Sequence, residues 1–480
     1  MSDSLKAKIV SALVWSTIDK VFMQVSYAVT GVILANILPP EDFGLLGIIL
    51  VFVAFANIFS NSGFTLALVQ KKVTTSKDYS TVFFFNLGIC LTLYLLLFLA
   101  APWIAAYYEE PRLTLLTRVV CLQIVFISLG LVQTGILMKT MNIRKLTLAN
   151  LIALTLSALF AILLAMNGYG IWALVVQVLS ISFFKTLVLW TGSSWRPEAT
   201  FSKESIRSTF AVGSHLMMTS LVSTFFQNIY TLLISTWYSI RDLGFYTQAD
   251  RWSRMGITAL SQTIGNAIFP ALSSIQDDNE RMYRVFGKMS RMTAYLTFPV
   301  FVGLILVTEP LFHTLFGHKW DLSVPMFQLF LMKGIFFVLT SLLNNYLMAI
   351  GKTKTIFRIE VVKNLLTLVA IFVTLPLGIL AMIVGQVAVG IAQYLITSYR
   401  VGKETGYGMW TQTRDLVPYL CLTGVMATGV WLAGQLITND ILRLSAEISV
   451  GVILYALLNC LLHSHIQAEL LAIILRKKKP

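Results

Sequence analysis

Two arginines, Arg251 and Arg254, stand one helical turn apart in "QADRWSRMGITALSQTIGNAIFP" (248–270), a mostly apolar stretch about as long as a membrane span. An arginine at the centre of a bilayer costs roughly 2.5–3.5 kcal/mol on insertion scales. Polar contacts between helices do not need two neighbouring cations. The pair therefore favours a water-filled cavity within the membrane.

Composition identifies the whole chain as an integral membrane protein. Of its 480 residues, 57% are hydrophobic and 12% are charged, whereas soluble domains carry about 25% charged residues. The apolar blocks run to about twenty residues, the length of transmembrane helices rather than of barrel strands. The predicted fold class is an all-α polytopic membrane protein. No cleavable signal peptide is apparent, so the first span is expected to remain in the protein.

About fourteen transmembrane helices are predicted from apolar length and loop residues. They lie near 12–36, 43–69, 80–106, 114–138, 148–167, 170–191, 206–236, 243–270, 292–316, 324–350, 357–376, 378–399, 415–437 and 444–474. The last is interpreted as one span, alone or with an interfacial helix.

The basic residues predict the orientation of these spans. The termini and every second loop hold 25 of the 36 Lys and Arg, and the alternate loops hold only Arg112, Arg241, Lys319 and Arg443. By the positive-inside rule both termini are cytoplasmic and the number of spans is even. Most of the net charge of +14 then reflects topology, and no nucleic-acid partner is expected.

The chain repeats weakly. "GIWALVV" (170–176) matches "GILAMIV" (378–384), and "EDFGLLGI" (41–48) matches "RDLGFYTQ" (241–248). Six spans in each unit predict a parallel repeat, two lobes around a central path that opens by alternating access. The predicted domains are an N-lobe (1–195), a C-lobe (205–400) and two C-terminal helices (415–475).

Depth and charge select candidate site residues in these spans. The cations expected in the cavity are Arg251, Arg254, Lys333, Lys20 and Arg118. Polar residues expected to line it, from helical spacing on four spans, are Gln24, Asn57, Asn61, Gln227, Asn228 and Gln262. Each polar side chain alone could instead hydrogen-bond a neighbouring helix, and Arg118 and Lys185 could snorkel towards the membrane surface.

A resemblance to a known family rests on five stretches spread along the chain. They are "ALVWSTIDKVFMQVSYAVTGVILANILPPEDFGLLGIILVF", "NSGFTLALVQKK", "YYEEPRL", "GFYTQADRWSRM" and "IFPALSSIQDD". These resemble the polysaccharide-transporter branch of the multidrug/oligosaccharidyl-lipid/polysaccharide exporters, in particular its Wzx-type, colanic-acid-exporter-like flippases. The resemblance covers essentially the whole chain and includes no catalytic signature.

The resemblance implies passage of an undecaprenyl-pyrophosphate-linked oligosaccharide from the inner to the outer leaflet of the bacterial cytoplasmic (inner) membrane. The cavity cations would then replace water around the pyrophosphate, since arginine binds phosphate through charge-assisted, sometimes bidentate hydrogen bonds. It also implies a monomer, acting with other polysaccharide-assembly proteins, without a cofactor and driven by Na⁺ or H⁺. Candidate coupling residues are Asp19, Asp250 and Glu360, although each stands beside a cation that it could simply neutralise.

The sequence gives little support to other functions. An enzyme of polysaccharide assembly needs acid/base or metal-binding groups, but "QDDN" (276–279) is interpreted as a helix cap. No metal site is expected, because the five histidines lack ligand spacing with carboxylates or cysteines and the four cysteines form no CxxC pair. "YLMAIGKTKT" (346–355) lacks the first P-loop glycine. A small-molecule exporter is disfavoured by the positive intramembrane balance, while a peptidoglycan-precursor flippase stays open.

Overall fold

The protein is built from α-helices. A computed structural model describes residues 3–61, 68, 71, 74–276, 278–462 and 466–467, without the side chains of 3–8, 60–61, 203–216, 267 and 279. No strand occurs within these ranges. The helices are α1 (Asp3–Ile37), α2 (Pro40–Asn61), α3 (Ser76–Tyr107), α4 (Arg112–Lys139), α5 (Ile143–Met166), α6 (Trp172–Gly192), α7 (Lys203–Trp237), α8 (Ile240–Ser273), α9 (Asn279–Leu306), α10 (Thr308–Phe316), α11 (Ser323–Ala349), α12 (Thr353–Thr374), α13 (Ile379–Thr405), α14 (Met409–Gln435) and α15 (Asp440–Leu461).

The predicted spans and the helices agree closely. Within the described residues, 12 helices are long and apolar enough to cross a membrane. The two further predicted spans are α8 and α12, which have 34 and 22 residues and so can cross a hydrocarbon core of about 30 Å. The count near fourteen is thus confirmed.

Three predicted boundaries need comment. The span predicted as 292–316 is two helices, since α9 ends at Leu306 and α10 begins at Thr308. The predicted span 43–69 begins inside α2, and most of its residues after Asn61 lie outside the described part of the chain. The same holds for most of the predicted 444–474 span beyond Leu462, so its interfacial extension stays a prediction.

Side-chain caps explain where several helices begin. Thr75 and Asp78 form a reciprocal capping box at the start of α3. Asn439 accepts hydrogen bonds from two backbone N–H groups at the start of α15. Asp278 accepts from the backbone N–H of Arg281 at 2.9 Å and caps α9, which confirms the interpretation of "QDDN" as a cap.

The chain divides into two compact units, 1–247 and 248–480, with the boundary inside α8. In the first unit α5 packs against α1 and α6, and α4 packs against α3 and α6. Aromatic rings fill one end, where the Phe83 ring lies 6.0 Å from Trp190 and 5.9 Å from Trp195. Trp190 Nε1 donates to the carbonyl of Leu129 at 2.8 Å, so this cluster joins α3, α4 and α6.

In the second unit α11 packs against α9 and α13, and α14 packs against α9 and α15. Arg291 on α9 forms an ion pair of 2.9 Å with Asp415 on α14, and the Tyr407 hydroxyl donates to the same carboxylate. In the most apolar stretch of α15 only 11% of the residues are buried, whereas 67% are buried in that of α2. The outer face of α15 is therefore suited to lipid, whereas α2 is an interior helix.

The repeat is visible in the helix bounds of both halves. Both α1 and α7 have 35 residues. Their bounds, Asp3–Ile37 and Lys203–Trp237, and the starts of α2 and α8, Pro40 and Ile240, each differ by 200 positions. The predicted lobe limits at 195 and 205 differ from the division at 247. The division at 247 separates compact units rather than repeats, so the lobe limits remain a prediction.

The starts of α2 and α8 cross at two equivalent glycines within the first unit. A Cβ added to Gly44 would lie 2.0 Å from the carbonyl oxygen of Ile240, and one added to Gly244 would lie 1.9 Å from that of Pro40. No side chain can approach a backbone so closely, so glycine is required at both positions. Each half of the repeat thus supplies one glycine and one carbonyl to the same crossing.

Polar contacts surround this crossing. Arg241 Nε lies 3.4 Å from Glu41 Oε1, and the Ser235 hydroxyl donates to the Tyr108 hydroxyl at 3.2 Å. Arg241 and Glu41 are one residue beyond the starts of α8 and α2. The paired stretches "EDFGLLGI" and "RDLGFYTQ" therefore meet each other in the fold.

Candidate functional site

The two arginines that opened the sequence analysis lie on α8 in the second unit. Arg254 Nε donates to Asp250 Oδ2 at 2.6 Å, with side chains 49% and 16% exposed respectively. Arg251 is half-buried on the same helix. Asp250 thus forms an ion pair with Arg254, one turn away. The pairing of Asp250 with the adjacent Arg251 that the sequence suggested stays a prediction. The ion pair with Arg254 orients one guanidinium and leaves half of its side chain exposed.

Lys333 lies on α11 beside these charges. Its ammonium donates to Gln386 Oε1 on α13 at 2.8 Å and lies 5.3 Å from the centroid of the Phe330 ring. Asp250 and Arg254 on α8 are both close enough to act electrostatically on it. An amide oxygen and an aromatic face therefore stabilise a cation at mid-helix.

Glu360 on α12 is the second carboxylate of this region, after Asp250. It accepts hydrogen bonds from Lys363 on the same helix and from Gln393 Nε2 on α13, the latter at 2.9 Å. Lys363 also acts electrostatically on Lys333. The pairing of Glu360 with Lys363 that the sequence suggested is present.

Two side-chain contacts join α8 to α11 near these charges. The Ser261 hydroxyl donates to Ser341 Oγ at 3.0 Å. Gly334 on α11 lies under Ile257, since a Cβ there would come within 2.6 Å of the isoleucine side chain. We call the resulting group of residues the charge cluster: Asp250, Arg254, Lys333, Glu360 and Lys363. Three cations against two carboxylates give it a net positive charge.

The first unit contains a smaller polar group around Asp19. Among the described residues its hydrogen-bond donor is Asn150 on α5, whose Nδ2 lies 3.0 and 3.1 Å from the two carboxylate oxygens. Lys185 on α6 is close enough to interact electrostatically with the same carboxylate. Lys20, the sequence neighbour of Asp19, is exposed on α1.

Arg118, also in the first unit, packs on α3. Its guanidinium carbon lies 4.2 Å from the centroid of the Phe98 ring, and Nε donates to the carbonyl of Phe98 at 3.3 Å. Arg118 lies on α4, the repeat counterpart of the helix α11 that holds Lys333, and each cation lies over a phenylalanine ring. The two rings stand at different places, since Phe98 is on the neighbouring helix and Phe330 is on the same helix as Lys333.

The predicted polar residues differ in their surroundings. Gln227 donates to Ser223 Oγ at 3.0 Å and Asn228 donates to the carbonyl of Thr224 at 2.8 Å, so both bond within α7. Asn57 Oδ1 is buried and has no hydrogen-bond partner among the described residues, and such an acceptor is rare in proteins. Gln24 is half-buried and Gln262 exposed. The side chain of Asn61 lies outside the described residues.

Sequence reasoning missed two amides that hold the acids, Asn150 and Gln393. Asn150 lies on the fifth helix of the first repeat and Gln393 on the sixth span of the second. Neither helix was among the four searched for polar stripes. A signal was available: Lys185 and Gln393 follow the matched "GIWALVV" and "GILAMIV" segments at the same spacing. A search of all paired helices for polar residues at equivalent positions would have found them.

Comparison with known proteins agrees with the fold. The family described as "Polysaccharide biosynthesis protein" matches residues 33–325, more than half of the chain, and the chain belongs to this family. It is 28% identical over 491 residues to the succinoglycan biosynthesis transport protein ExoT of Rhizobium meliloti (strain 1021), covering 100% of this chain and 98% of that protein. It is 25% identical to the lipopolysaccharide biosynthesis protein WzxC of Escherichia coli (strain K12), covering 90% of each.

Among solved structures, the lipid II flippase MurJ in an inward closed conformation is similar, with a TM-score of 0.76 at 16% sequence identity. The match covers 95% of this chain and 99% of that one, and at this identity it bears on the fold alone. The resemblance noted from the sequence is therefore confirmed. The protein is a multi-pass membrane transporter of the polysaccharide-assembly class.

Proposed function

We propose that the protein is a flippase for an undecaprenyl-pyrophosphate-linked oligosaccharide, such as an O-antigen, capsule or exopolysaccharide repeat unit. It moves this substrate from the inner to the outer leaflet of the bacterial cytoplasmic membrane and changes no covalent bond. The observation that carries the proposal is the charge cluster of the second unit, which lies on α8, α11 and α12. A net positive cluster on membrane-length helices fits a pyrophosphate, the anionic group that such glycolipids share.

The cations divide the work of binding. Arg251 and Arg254 bind the pyrophosphate oxygens, because guanidinium forms charge-assisted and often bidentate bonds to phosphate. Asp250 neutralises Arg254 when no substrate is bound and is displaced as the phosphate enters. Lys333 adds a point charge from α11, and Lys20 and Arg118 stay predicted substrate-binding cations. The apolar lipid tail stays in the bilayer throughout.

Alternating access supplies the movement across the membrane. Both termini are cytoplasmic, as the distribution of Lys and Arg indicates, so the crossing of α2 and α8 at Gly44 and Gly244 lies on the external side. This crossing closes the external side until the headgroup is ready to leave. The protein acts as a monomer and delivers its substrate to polysaccharide-assembly proteins outside the cytoplasm. Its similarity to ExoT and WzxC, whose names place them in polysaccharide biosynthesis, supports a role in the export of polysaccharide precursors.

Deletion and complementation test the proposal. Deleting the gene is expected to remove the surface polysaccharide and to accumulate an undecaprenyl-linked oligosaccharide in extracted lipids. Wild type restores export, whereas Arg251→Ala/Arg254→Ala lowers it by at least about tenfold, since each lost charge-assisted hydrogen bond is worth about 1.5–3 kcal/mol. The control is Arg284→Ala, which removes a cation whose side chain is 68% exposed and is expected to export normally.

Three other outcomes would contradict the proposal. Loss of surface glycan without a lipid-linked intermediate would indicate an enzyme earlier in the pathway. Accumulation of the peptidoglycan precursor would indicate that this lipid is the substrate. Unchanged glycan would favour a small-molecule exporter. A double variant that is present in the membrane at wild-type amounts and still exports would remove the role given to the two arginines.

We further propose that Asp19 couples export to a proton or sodium gradient. Of the three acids named from the sequence, Asp250 and Glu360 have arginine or lysine partners on their own helices. Asp19 instead accepts hydrogen bonds from Asn150 on α5 and interacts electrostatically with Lys185 on α6. A carboxylate on α1 whose charge acts on α5 and α6 can couple its charge state to the relative movement of these helices.

Vesicles test this coupling through gradient-driven transport. Asp19→Asn is expected to reduce transport to the level seen without a gradient, because the amide keeps the shape but cannot take up a cation. Glu280→Gln, at a side chain that is 84% exposed, is the control and is expected to respond like wild type. A full gradient response in Asp19→Asn would overturn the assignment.

A further inference from the structure

The short connection between α10 and α11 brings two histidines and an aspartate together. After α10 ends at Phe316, Gly317 adopts φ 77° and ψ 169° and a 3-10 turn covers His318–Trp320. A positive φ of this kind favours glycine. The Trp320 side chain is 1% exposed and anchors the turn in the unit. The reversal returns His318 and Asp321 to the last turn of α10, where His313 lies.

The three side chains face one another through atoms that bind metals. Asp321 Oδ1 lies 3.1 Å from His313 Nε2, and Asp321 Oδ2 lies 3.7 Å from His318 Nδ1. The two imidazole rings have centroids 4.1 Å apart. One ligand atom from each residue falls within a group no wider than 4.8 Å. Ligands of one zinc ion at roughly 2.0–2.1 Å lie about 3.4 Å apart in a tetrahedron, so small side-chain rotations close the site.

A fourth residue orients the first histidine from another helix. Asp440, the first residue of α15, has Oδ2 3.3 Å from His313 Nδ1. If Nε2 of His313 binds a metal, Nδ1 carries the hydrogen and donates it to this carboxylate. A carboxylate behind a ligating imidazole fixes its tautomer and raises its affinity for the metal. The nearby ion pair of Arg443 with Glu309, at 3.1 Å, holds α15 against α10 in the same place.

We propose that His313, His318 and Asp321 bind a divalent transition-metal ion, with Asp440 as the positioning residue. Two imidazoles and a carboxylate suit Zn²⁺, and the fourth coordination position is left to water. His318 and Asp321 are exposed, at 75% and 55% of the side chain, so the ion has access from solvent. This site shares no residue with the charge cluster and would join α15 to the connection between α10 and α11.

The path of the chain explains why the sequence did not reveal the site. His313, His318 and Asp321 follow an H-x4-H-x2-D spacing, which matches no common ligand motif on a single helix. Only the break after Phe316 and the reversal at Gly317 place them on one side. The alternative is that Asp321 only forms ion pairs with the two histidines. That alternative predicts no affinity for metals.

Metal binding by the purified full chain tests the proposal. The protein is prepared in detergent without a polyhistidine tag, stripped with chelator and titrated with Zn²⁺, and bound metal is measured after gel filtration. One Zn²⁺ per chain is expected. His318→Ala and Asp321→Asn are expected to weaken binding at least a hundredfold, and both residues are exposed enough for the variants to fold. Asp440→Asn is expected to weaken binding about 10–100-fold, while retaining one site.

A second readout and a matched control complete the test. Zn²⁺ is expected to raise the thermal stability of the wild type, because it binds only the folded state, and not that of His318→Ala. His463→Gln/His465→Gln removes the two histidines near the C-terminus and is expected to bind like wild type. No stoichiometric binding by the wild type would overturn the proposal. So would unchanged affinity in both His318→Ala and Asp321→Asn, or loss of binding in the C-terminal control.

Discussion

Replacing Gly44 and Gly244 by alanine together is expected to abolish export while leaving most of the fold intact. Alanine in a helix is normally favoured over glycine by about 1 kcal/mol. Here each new Cβ would meet a backbone carbonyl oxygen at 2.0 or 1.9 Å, which forces the starts of α2 and α8 apart. Under the proposed mechanism the external side can then no longer close.

Two measurements separate this effect from simple misfolding. Export is measured as surface polysaccharide per molecule of protein in the membrane. Cross-linking of cysteines introduced at Glu41 and Arg241, whose side chains form an ion pair at 3.4 Å, reports the crossing directly, in a background lacking the native cysteines. Both signals are expected to fall in the double variant. Retained export with undiminished cross-linking would show that the crossing tolerates the added methyl groups.

Gly256→Ala and Gly88→Ala provide the matched control for this experiment. Nothing lies within 4 Å of a Cβ added at either position, and both glycines are inside helices. They are expected to export normally and to be as stable as wild type or slightly more stable. A loss of export in these controls would mean that helix rigidity, rather than the crossing, is what alanine changes.

Arg443→Leu is expected to lower the free energy of unfolding by about 3–5 kcal/mol, the usual cost of removing one partner of a buried ion pair. Arg443 Nε lies 2.9 Å from Glu447 Oε1, and the Glu447 side chain is only 3% exposed. Glu447 Oε2 is buried and has no hydrogen-bond partner among the described residues. Leucine would therefore leave a carboxylate enclosed between α14 and α15 without its counter-ion.

The double variant Arg443→Leu/Glu447→Leu shows whether the cost is electrostatic. Replacing both charges by apolar groups is expected to restore most of the stability, as measured by unfolding in mixed detergents. Arg284→Leu is the control, since Arg284 and Glu280 are also four residues apart but are 68% and 84% exposed. It is expected to change stability by less than about 1 kcal/mol. Equal losses in the single and double variants would assign the effect to packing.

Hydropathy and charge predicted the fold well, because the membrane imposes both signals on nearly every helix. The break between α9 and α10 was missed, since "FVGLILVTEPLFHTLF" (301–316) is mostly apolar and has proline only after the break. The repeat was found from two short segment pairs. That "EDFGLLGI" and "RDLGFYTQ" meet through Gly44 and Gly244 could be seen only in the structure, because a glycine in an apolar helix has many possible neighbours.

The candidate site was predicted in part for a similar reason. Depth in a span selected Arg254, Lys333, Asp250 and Glu360, and the structure gathers these four into one cluster. Their partners depend on side-chain direction and on which helices are adjacent, neither of which a single sequence contains. The ion pair of Asp250 with Arg254 illustrates this limit, since a four-residue spacing on a helix brings side chains together.

The charges on α8 and α12 have a consequence for how the chain is made. Each charged residue near a helix centre opposes insertion by roughly 2.5–3.5 kcal/mol, so neither helix is expected to leave the translocon for lipid alone. Glu360 on α12 has its amide donor, Gln393, on α13, which is still being synthesised when α12 emerges. We therefore expect α12 to wait beside the translocon until α13 arrives, and the second half of the chain to enter the bilayer as a group of helices rather than one by one.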